Sequence, residues 1–164
     1  LAVAGGSAGA HLAMLLGMSP GVTELEGEIG GNTEQSTHVS AIVQYFGPSD
    51  FILRMETQPS TATSADRGSF KLLNGEATGH IDLDLARLAS PAFYVNEQSP
   101  PLLSFQGLAD ETVLPDQAYR IDRAYEEKGR PHELVLVQDA GHGAQVLFEG
   151  ENRKRAIEFL RKYL

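Results

Sequence analysis

The sequence contains no cysteine, which excludes disulfides, thiolate metal sites and a cysteine nucleophile and leaves the compartment open between cytosol and exterior. Basic residues are also scarce: 13 Lys and Arg stand against 22 Asp and Glu, for a net charge of -9. This charge argues against a nucleic-acid partner, because phosphates need a basic face, and against docking on an anionic membrane surface. No apolar run approaches the roughly 20 residues that span a bilayer.

The composition instead indicates one globular domain. The chain has 164 residues, of which 41% are hydrophobic, enough for a real core. Four apolar runs have the character of buried parallel strands, at residues 1–5, 39–46, 101–105 and 133–137. Helical patterns follow at residues 10–18, 117–128 and 153–164. Strands that alternate with helices predict an α/β fold with a parallel sheet.

A Gly-x-Ser-x-Gly motif occupies residues 5–9, directly behind the first apolar run. At a turn from strand to helix, Ser7 is expected to have a strained backbone and an exposed hydroxyl. The small residues around it let strand and helix approach closely. Because the helix directs its N-terminus at Ser7, the amide of Ala8 is suited to stabilise a developing oxyanion. The motif predicts Ser7 as a nucleophile and Ala8 as an oxyanion donor.

A serine nucleophile needs a base within hydrogen-bond reach, and His142 has the most suitable position of the five histidines. It follows the fourth predicted strand, and sites in parallel sheets form beyond the carboxyl ends of strands. His11 lies four positions after Ser7 on a helix that carries it away from the hydroxyl, so we interpret it as structural. The remaining histidines show no partner pattern: His38, His80 and His132.

The third member of such a site is a carboxylate that orients the imidazole. Asp110 follows the third predicted strand, and the resulting order of serine, acid and histidine is that of the α/β-hydrolase fold. Three rivals are less suitable. Glu111 should diverge, Asp116 is a plausible helix N-cap, and Asp139 is a turn residue. For Asp50, two roles stay open: it lines the substrate pocket, or it caps a helix.

Residues 51–96 fit the alternation poorly, with only two short helix-like pieces at 69–73 and 83–88. Two interpretations stay open: a surface excursion, or a cap above the active site, since long insertions after strands often shape pockets. We therefore expect a single α/β domain over residues 1–164, with 51–96 as a cap or insertion.

Several segments together resemble a known family. They are residues 4–13 (AGGSAGAHLA), 45–51 (YFGPSDF), 89–91 (ASP), 100–103 (PPLL), 107–110 (GLAD) and 141–143 (GHG). The chain resembles α/β-hydrolase esterases, and most of all the bacterial carboxylesterase group that includes BD-FAE-like feruloyl and acetyl esterases. The resemblance implies Ser7 as nucleophile, Asp110 as acid and His142 as base. It also implies hydrolysis of small-molecule carboxylic esters, acetyl or feruloyl esters among them, through an acyl-enzyme and without metal or organic cofactor.

The chain departs from the resembled group at two places. Gln106 precedes Gly107 where such enzymes usually carry His-Gly. They also have several strands and a His-Gly-Gly oxyanion segment before the nucleophile, whereas Ser7 is the seventh residue here. We therefore expect the C-terminal portion of an α/β-hydrolase fold, with about four parallel strands flanked by helices. An apolar edge strand is an aggregation hazard, so either the chain is a fragment or a second copy covers residues 1–5.

Because of these two departures from the resembled group, two other functions stay open. A chain that keeps the three residues without a complete oxyanion hole would be a catalytically silent binding or structural module, because loss of one donor lowers the rate roughly 100- to 1000-fold. A serine peptidase of the prolyl-peptidase kind shares the resembled fold. Its elbows more often carry Trp and Tyr around the serine, unlike the Gly-Gly-Ser-Ala-Gly of this chain.

Overall fold

A parallel sheet organises the molecule. The computed structural model describes residues 1–27, 30–32 and 34–164. In that part of the chain the strands are β1 (Ala2–Gly6), β2 (Ala41–Tyr45), β3 (Leu102–Gly107) and β4 (His132–Val137). They pair in the order β1-β2-β3-β4, all in parallel. This confirms the predicted α/β class, and each predicted strand is correct to within two residues at either end.

Helices cover both faces of this sheet. They are α1 (Ala8–Met18), α2 (Thr23–Glu26), α3 (Phe51–Thr57), α4 (Pro59–Ala62), α5 (Gly68–Leu72), α6 (Gly75–Thr78), α7 (Leu83–Leu88), α8 (Asp116–Glu127) and α9 (Gly150–Tyr163), with 3₁₀ turns at Pro91–Phe93 and Gln145–Leu147. None of the helices in the described ranges is long and apolar enough to cross a membrane.

The core consists of one apolar layer on each face of the sheet. On one face, α1 and α8 bury Met14 and Tyr125 against Ile42 and Leu102. On the other face, side chains of β2 and β3 pack with Leu147 and with α9. Strands β2 and β3 lie between both layers and are almost completely buried, which is why their sequences read as continuous apolar runs.

The helix starts differ by one to three residues from the sequence-based expectation: α1 begins at Ala8 rather than 10, α8 at Asp116 rather than 117, and α9 at Gly150 rather than 153. Gly9 is accommodated inside α1, at a position where an added Cβ would meet no atom within 4 Å. The N-cap prediction for Asp116 is wrong: it is the first residue of α8, follows Pro115 and makes no capping hydrogen bond. Proline suits this end of a helix because its missing N–H has no intrahelical partner there.

Residues 51–96 contain more helix than their sequence indicates. Helices α3 to α7 bury a small apolar cluster of their own around Phe51, Phe70 and Leu73. Asp50 caps the first of them, since its carboxylate accepts hydrogen bonds from the amides of Ile52 and Leu53, each at 3.0 Å. The N-cap interpretation of Asp50 is thus confirmed. The helices are short, and their burial depends on contacts between them rather than on long amphipathic patterns.

Candidate active site

Ser7 lies at the turn between β1 and α1, in a backbone conformation with φ 54° and ψ -119°. This left-handed region is uncommon for residues other than glycine and marks a constrained position. The amide of Ser7 donates to the carbonyl of Tyr45 at 2.9 Å, which ties the turn to β2. A Cβ at Gly5 would lie 2.3 Å from the carbonyl carbon of Gly9, so only glycine permits this approach of strand and helix.

The hydroxyl of Ser7 contacts His142. Oγ of Ser7 lies 2.9 Å from Nε2 of the imidazole, and Nδ1 of the same ring lies 2.8 Å from Oδ2 of Asp110. A carboxylate oxygen only accepts, so the Nδ1–H donates to Asp110 and Nε2 is free to accept from the hydroxyl of Ser7. The three residues thus form one continuous chain of hydrogen bonds from carboxylate to hydroxyl.

Asp110 is held from several sides and is 2% exposed. Its Oδ1 accepts from the amides of Thr112 at 2.8 Å and Val113 at 2.9 Å, which fixes the carboxylate in the loop after β3. Its Oδ2 faces His142. Of the four carboxylates weighed from the sequence, Asp110 is the one that contacts the imidazole; Asp139 occupies a turn with φ 59°.

The loops that carry Asp110 and His142 are packed directly against each other. The amide of Ala109 donates to the carbonyl of Ala140 at 3.0 Å. A Cβ at Gly107 would lie 2.1 Å from that carbonyl oxygen, so this position also requires glycine. Because both loops leave the carboxyl ends of adjacent parallel strands, the sheet brings acid and imidazole together although 32 positions separate them in sequence.

Ala8 is the first residue of α1. The amide of a first helical residue has no intrahelical acceptor, and the positive end of the helix dipole lies at the same place. Ser7 and Ala8 together line one end of the cleft described below. The amide of Ala8 is therefore a backbone donor without an intrahelical acceptor, directly after Ser7 in the chain.

Phe46 and Gln106 contact this site, and neither contact follows from the sequence pattern. The ring of Phe46 packs edge-on against His142 with centroids 4.8 Å apart, and its φ is 46°. Nε2 of Gln106 lies 3.3 Å from Oδ2 of Asp110. The available signal was positional only: Phe46 directly follows β2 and Gln106 lies in β3, so both are near the carboxyl edge of the sheet.

His11 has a structural environment, as expected. Its Nε2–H donates to the carbonyl of Ala89 at 2.7 Å, and its ring packs edge-on against Phe51. Burial lowers the pKa of this imidazole, with a smaller opposing effect from the bond to Ala89. His132 contacts Asp122 at the opposite end of β4. Within the part of the chain that the structure describes, no group of three or more His, Asp or Glu residues could hold a metal ion.

A cleft of about 590 Å³ opens beside Ser7. One wall is α1, with Leu12 and Leu15. The facing wall comes from residues 51–96, which contribute Phe51, Leu72 and Leu88 among others. These helices therefore border the space next to the hydroxyl, as a cap or insertion at this position would.

A family model described as BD-FAE matches residues 1–125 of the chain. The matched range includes Ser7 and Asp110, and His142 lies beyond it. Comparison with curated protein sequences gave no match.

Solved structures similar to this chain are esterases and related hydrolases. A truncated form of a carbohydrate esterase from gut microbiota aligns with TM-score 0.79 and 23% identity, over 99% of this chain and 59% of that one. A "Bifunctional GH43-CE" from Bacteroides eggerthii aligns with TM-score 0.78 and 28% identity, over 98% and 23%. An acetyl ester-xyloside bifunctional hydrolase from Caldicellulosiruptor lactoaceticus aligns with TM-score 0.72 and 21% identity, over 99% and 54%. The chain thus spans less than two thirds of each of these structures.

Proposed function

The chain belongs to the BD-FAE family, and on this premise we propose that it hydrolyses carboxylic esters with Ser7 as the nucleophile. One observation carries the proposal: the hydrogen-bonded series from Asp110 through His142 to the hydroxyl of Ser7, with distances of 2.8 and 2.9 Å. This is the arrangement in which a serine is activated by an adjacent base that a third group orients.

In the first step, Oγ of Ser7 attacks the ester carbonyl while Nε2 of His142 removes the hydroxyl proton. Asp110 stabilises the imidazolium that forms, and its two bonds from loop amides keep it in place. The developing negative charge on the carbonyl oxygen is met by the amide of Ala8 at the start of α1. His142 then returns its proton to the leaving alcohol, and the acyl group stays on Ser7.

In the second step, water replaces the alcohol. Nε2 of His142 takes a proton from the water, whose oxygen attacks the acyl carbonyl, and collapse of the intermediate returns the proton to Oγ of Ser7. The protein groups that act in both steps are the side chains of Ser7, His142 and Asp110 and the amide of Ala8. The turn at Ser7 serves as the nucleophile elbow, because its left-handed backbone directs the hydroxyl toward the imidazole rather than into α1.

The names of similar structures suggest which esters to test first. One is an acetyl ester-xyloside hydrolase and another a carbohydrate esterase, and the family is BD-FAE. We propose small carboxylic esters, acetyl or feruloyl esters among them, as substrates. The apolar cleft beside Ser7, with its leucine side chains from α1 and from residues 51–96, suits the apolar part of such a molecule. In this proposal residues 51–96 act as the cap of the site.

A fluorophosphonate probe and 4-nitrophenyl acetate test the proposal together. We expect covalent labelling and turnover in the wild-type protein, and loss of both in Ser7→Ala. Ser69→Ala is the matched control, because Ser69 also lines the cleft, whereas the imidazole of His142 hydrogen-bonds Asp110 and Ser7. It should keep labelling and turnover.

Three outcomes contradict the proposal in different ways. If Ser7→Ala and the wild type react equally, the hydrolysis does not use this site. If neither is labelled and neither turns over any ester while both are folded, the chain is a silent module that retains the three residues. Cleavage of peptides in preference to esters would indicate a serine peptidase instead.

A further inference from the structure

The cleft beside Ser7 has a charge opposite to that of the whole chain. The protein carries a net charge of -9, yet the charged side chains among the described residues that line this cleft are Arg54 and Arg67. No described lining residue is acidic. His11 also lines the cleft, but its lowered pKa leaves it neutral at pH 7. Most of the other described lining residues are apolar, six of them leucine, so this positive charge lies in a largely apolar space.

Arg54 is the buried member of the pair. It projects from α3, is 6% exposed, and its Nη2 donates to the carbonyl of Thr112 at 3.0 Å. Its buried Nε has no hydrogen-bond partner within the described ranges. Burial lowers the pKa of this guanidinium, but arginine stays protonated in proteins. A largely desolvated cation with an unsatisfied donor is unfavourable unless an anion compensates it.

The chain itself supplies only part of that compensation. Asp110 and Asp116 act on Arg54 from a distance and favour its charged form. Asp110 is already engaged by His142, Gln106 and two amides. Across the described residues neither carboxylate is within ion-pair distance of Arg54.

Arg67 adds a second positive charge instead of balancing the first. It is exposed, directly precedes α5, and its charge acts on Arg54 in the unfavourable direction. Two guanidiniums that repel each other and line the same cleft create a potential that attracts an anion. Guanidinium is also the group that matches a carboxylate geometrically, through its fork of N–H donors.

A purely structural role, in which Arg54 only holds the 110–113 loop in place, does not explain why a charged residue is buried at this position. Gln58 makes the equivalent connection from the end of α3, since its Nε2 donates to the carbonyl of Glu111 at 3.1 Å. A neutral amide thus suffices to hold this loop to the helix. The guanidinium of Arg54 makes a charge-assisted hydrogen bond to the loop, but it adds the desolvation cost of a cation, which a neutral amide does not have.

We propose that Arg54 and Arg67 form a carboxylate subsite, and that the preferred substrate is an ester bearing a carboxylate on the part that enters this cleft. The inference rests on the proposed ester hydrolysis at Ser7. The carboxylate binds the two guanidiniums, and the apolar spacer between carboxylate and ester contacts the leucine walls. The site then favours anionic esters over neutral esters of the same shape.

Two matched pairs of esters test this subsite on either side of the ester bond. The carboxylate is on the acyl side in 4-nitrophenyl hemisuccinate, with 4-nitrophenyl butyrate as its neutral counterpart. It is on the alcohol side in 4-acetoxybenzoate, with 4-methylphenyl acetate as counterpart. The measured quantity is the ratio of kcat/KM for the anionic and neutral ester, relative to the same ratio in wild type, so intrinsic reactivities cancel.

We expect Arg54→Met to lower this ratio about tenfold or more for one of the pairs, as loss of a charged hydrogen bond does. Arg67→Gln should lower it several-fold, and because Arg67 is exposed this variant folds even if Arg54→Met does not. Arg54→Lys should recover part of the preference. Arg87→Gln is the control: it removes the same charge from the same segment but does not line the cleft, and should leave the ratio unchanged.

For each ester pair, the ratio is compared between wild type, Arg67→Gln and a folded Arg54→Met. If neither pair shows a difference between these proteins, the subsite is wrong while ester hydrolysis stands. If no ester is hydrolysed through Ser7, the proposed function fails. In that case a binding experiment tests the subsite. Ligand-observed NMR measures the binding of monomethyl succinate and of methyl butyrate to the Ser7→Ala variant. The subsite is supported if monomethyl succinate binds saturably and Arg67→Gln weakens that binding. It is overturned if the two esters bind equally or if neither binds.

Discussion

Nε2 of Gln106 lies 3.3 Å from Oδ2 of Asp110, the carboxylate oxygen that faces His142. The same nitrogen is surrounded by the carbonyls of Gly107 at 3.1 Å and Val113 at 3.2 Å. Three acceptors leave one orientation of the amide, with the nitrogen toward Asp110. Gln106 is completely buried, so this contact is shielded from water.

Gln106→Leu should therefore lower kcat of ester hydrolysis roughly tenfold or more, since Asp110 loses a charge-assisted hydrogen bond and the carbonyls of Gly107 and Val113 lose their bonds to the buried amide. Gln106→His should retain most of the activity, because its ring N–H can replace the amide donor. Steady-state kinetics on 4-nitrophenyl acetate, with thermal unfolding of each variant as the folding control, measure the effect. Equal kcat in wild type and Gln106→Leu would show that Asp110 needs no such support.

Gly5→Ala should destabilise the protein by about 1–3 kcal/mol, because the added Cβ meets the backbone of Gly9. Neither β1 nor α1 can shift to relieve this overlap without moving Ser7. Gly9→Ala is the matched control, since a Cβ there meets nothing within 4 Å inside α1. It should be neutral or stabilising by up to about 1 kcal/mol. Denaturant unfolding compares the two, and equal stability of both variants would contradict the close approach of β1 and α1.

The buried His11 predicts a pH dependence of stability. Burial lowers its pKa in the folded state, whereas the unfolded chain titrates near the ordinary value of about 6.5. Below that pH the unfolded chain takes up a proton that the folded one does not bind. The free energy of unfolding should therefore fall as pH decreases through this range and down to the folded pKa, with a slope approaching about 1.4 kcal/mol per pH unit.

Urea unfolding between pH 5 and 8 measures this dependence. His11→Gln, which keeps a donor for the carbonyl of Ala89, should flatten the curve in the acidic range. His80→Gln changes an exposed histidine and should leave the slope as in wild type. A slope that persists unchanged in His11→Gln would assign it to other groups.

Strand β1 pairs with β2 and lies at one edge of the described sheet. An unpaired apolar edge is a template for another strand, so we propose that residues 1–164, expressed alone, self-associate through β1. Light scattering should give a mass above that of one chain that rises with concentration. Ala4→Lys, which adds a charge at an exposed position of the strand, should shift the mass toward the monomer. A wild-type monomer at all concentrations would contradict the proposal.

The local pattern of the chain predicts much of this architecture. The four strands, the helices α1, α8 and α9, and the positions of Ser7, Asp110 and His142 after successive strands all follow from apolar runs and turn residues. Residues 51–96 are read less well: only α5 and α7 are anticipated there, because short helices carry too few periodic residues to separate them from loops. Asp116 is not the N-cap because Pro115 occupies that position, so the helix begins one residue earlier than an Asp N-cap requires.

The amino-acid sequence alone determines the fold class and the candidate residues, because the periodicity of side chains and the chemistry of turns are local properties of the chain. The contacts themselves are not local. The 2.9 Å approach of Ser7 to His142 spans 135 positions, and the packing of Phe46 on the imidazole and the presence of Arg54 in the cleft depend equally on how distant segments meet. Only the folded sheet, which aligns the carboxyl ends of its parallel strands, brings these groups within bonding distance.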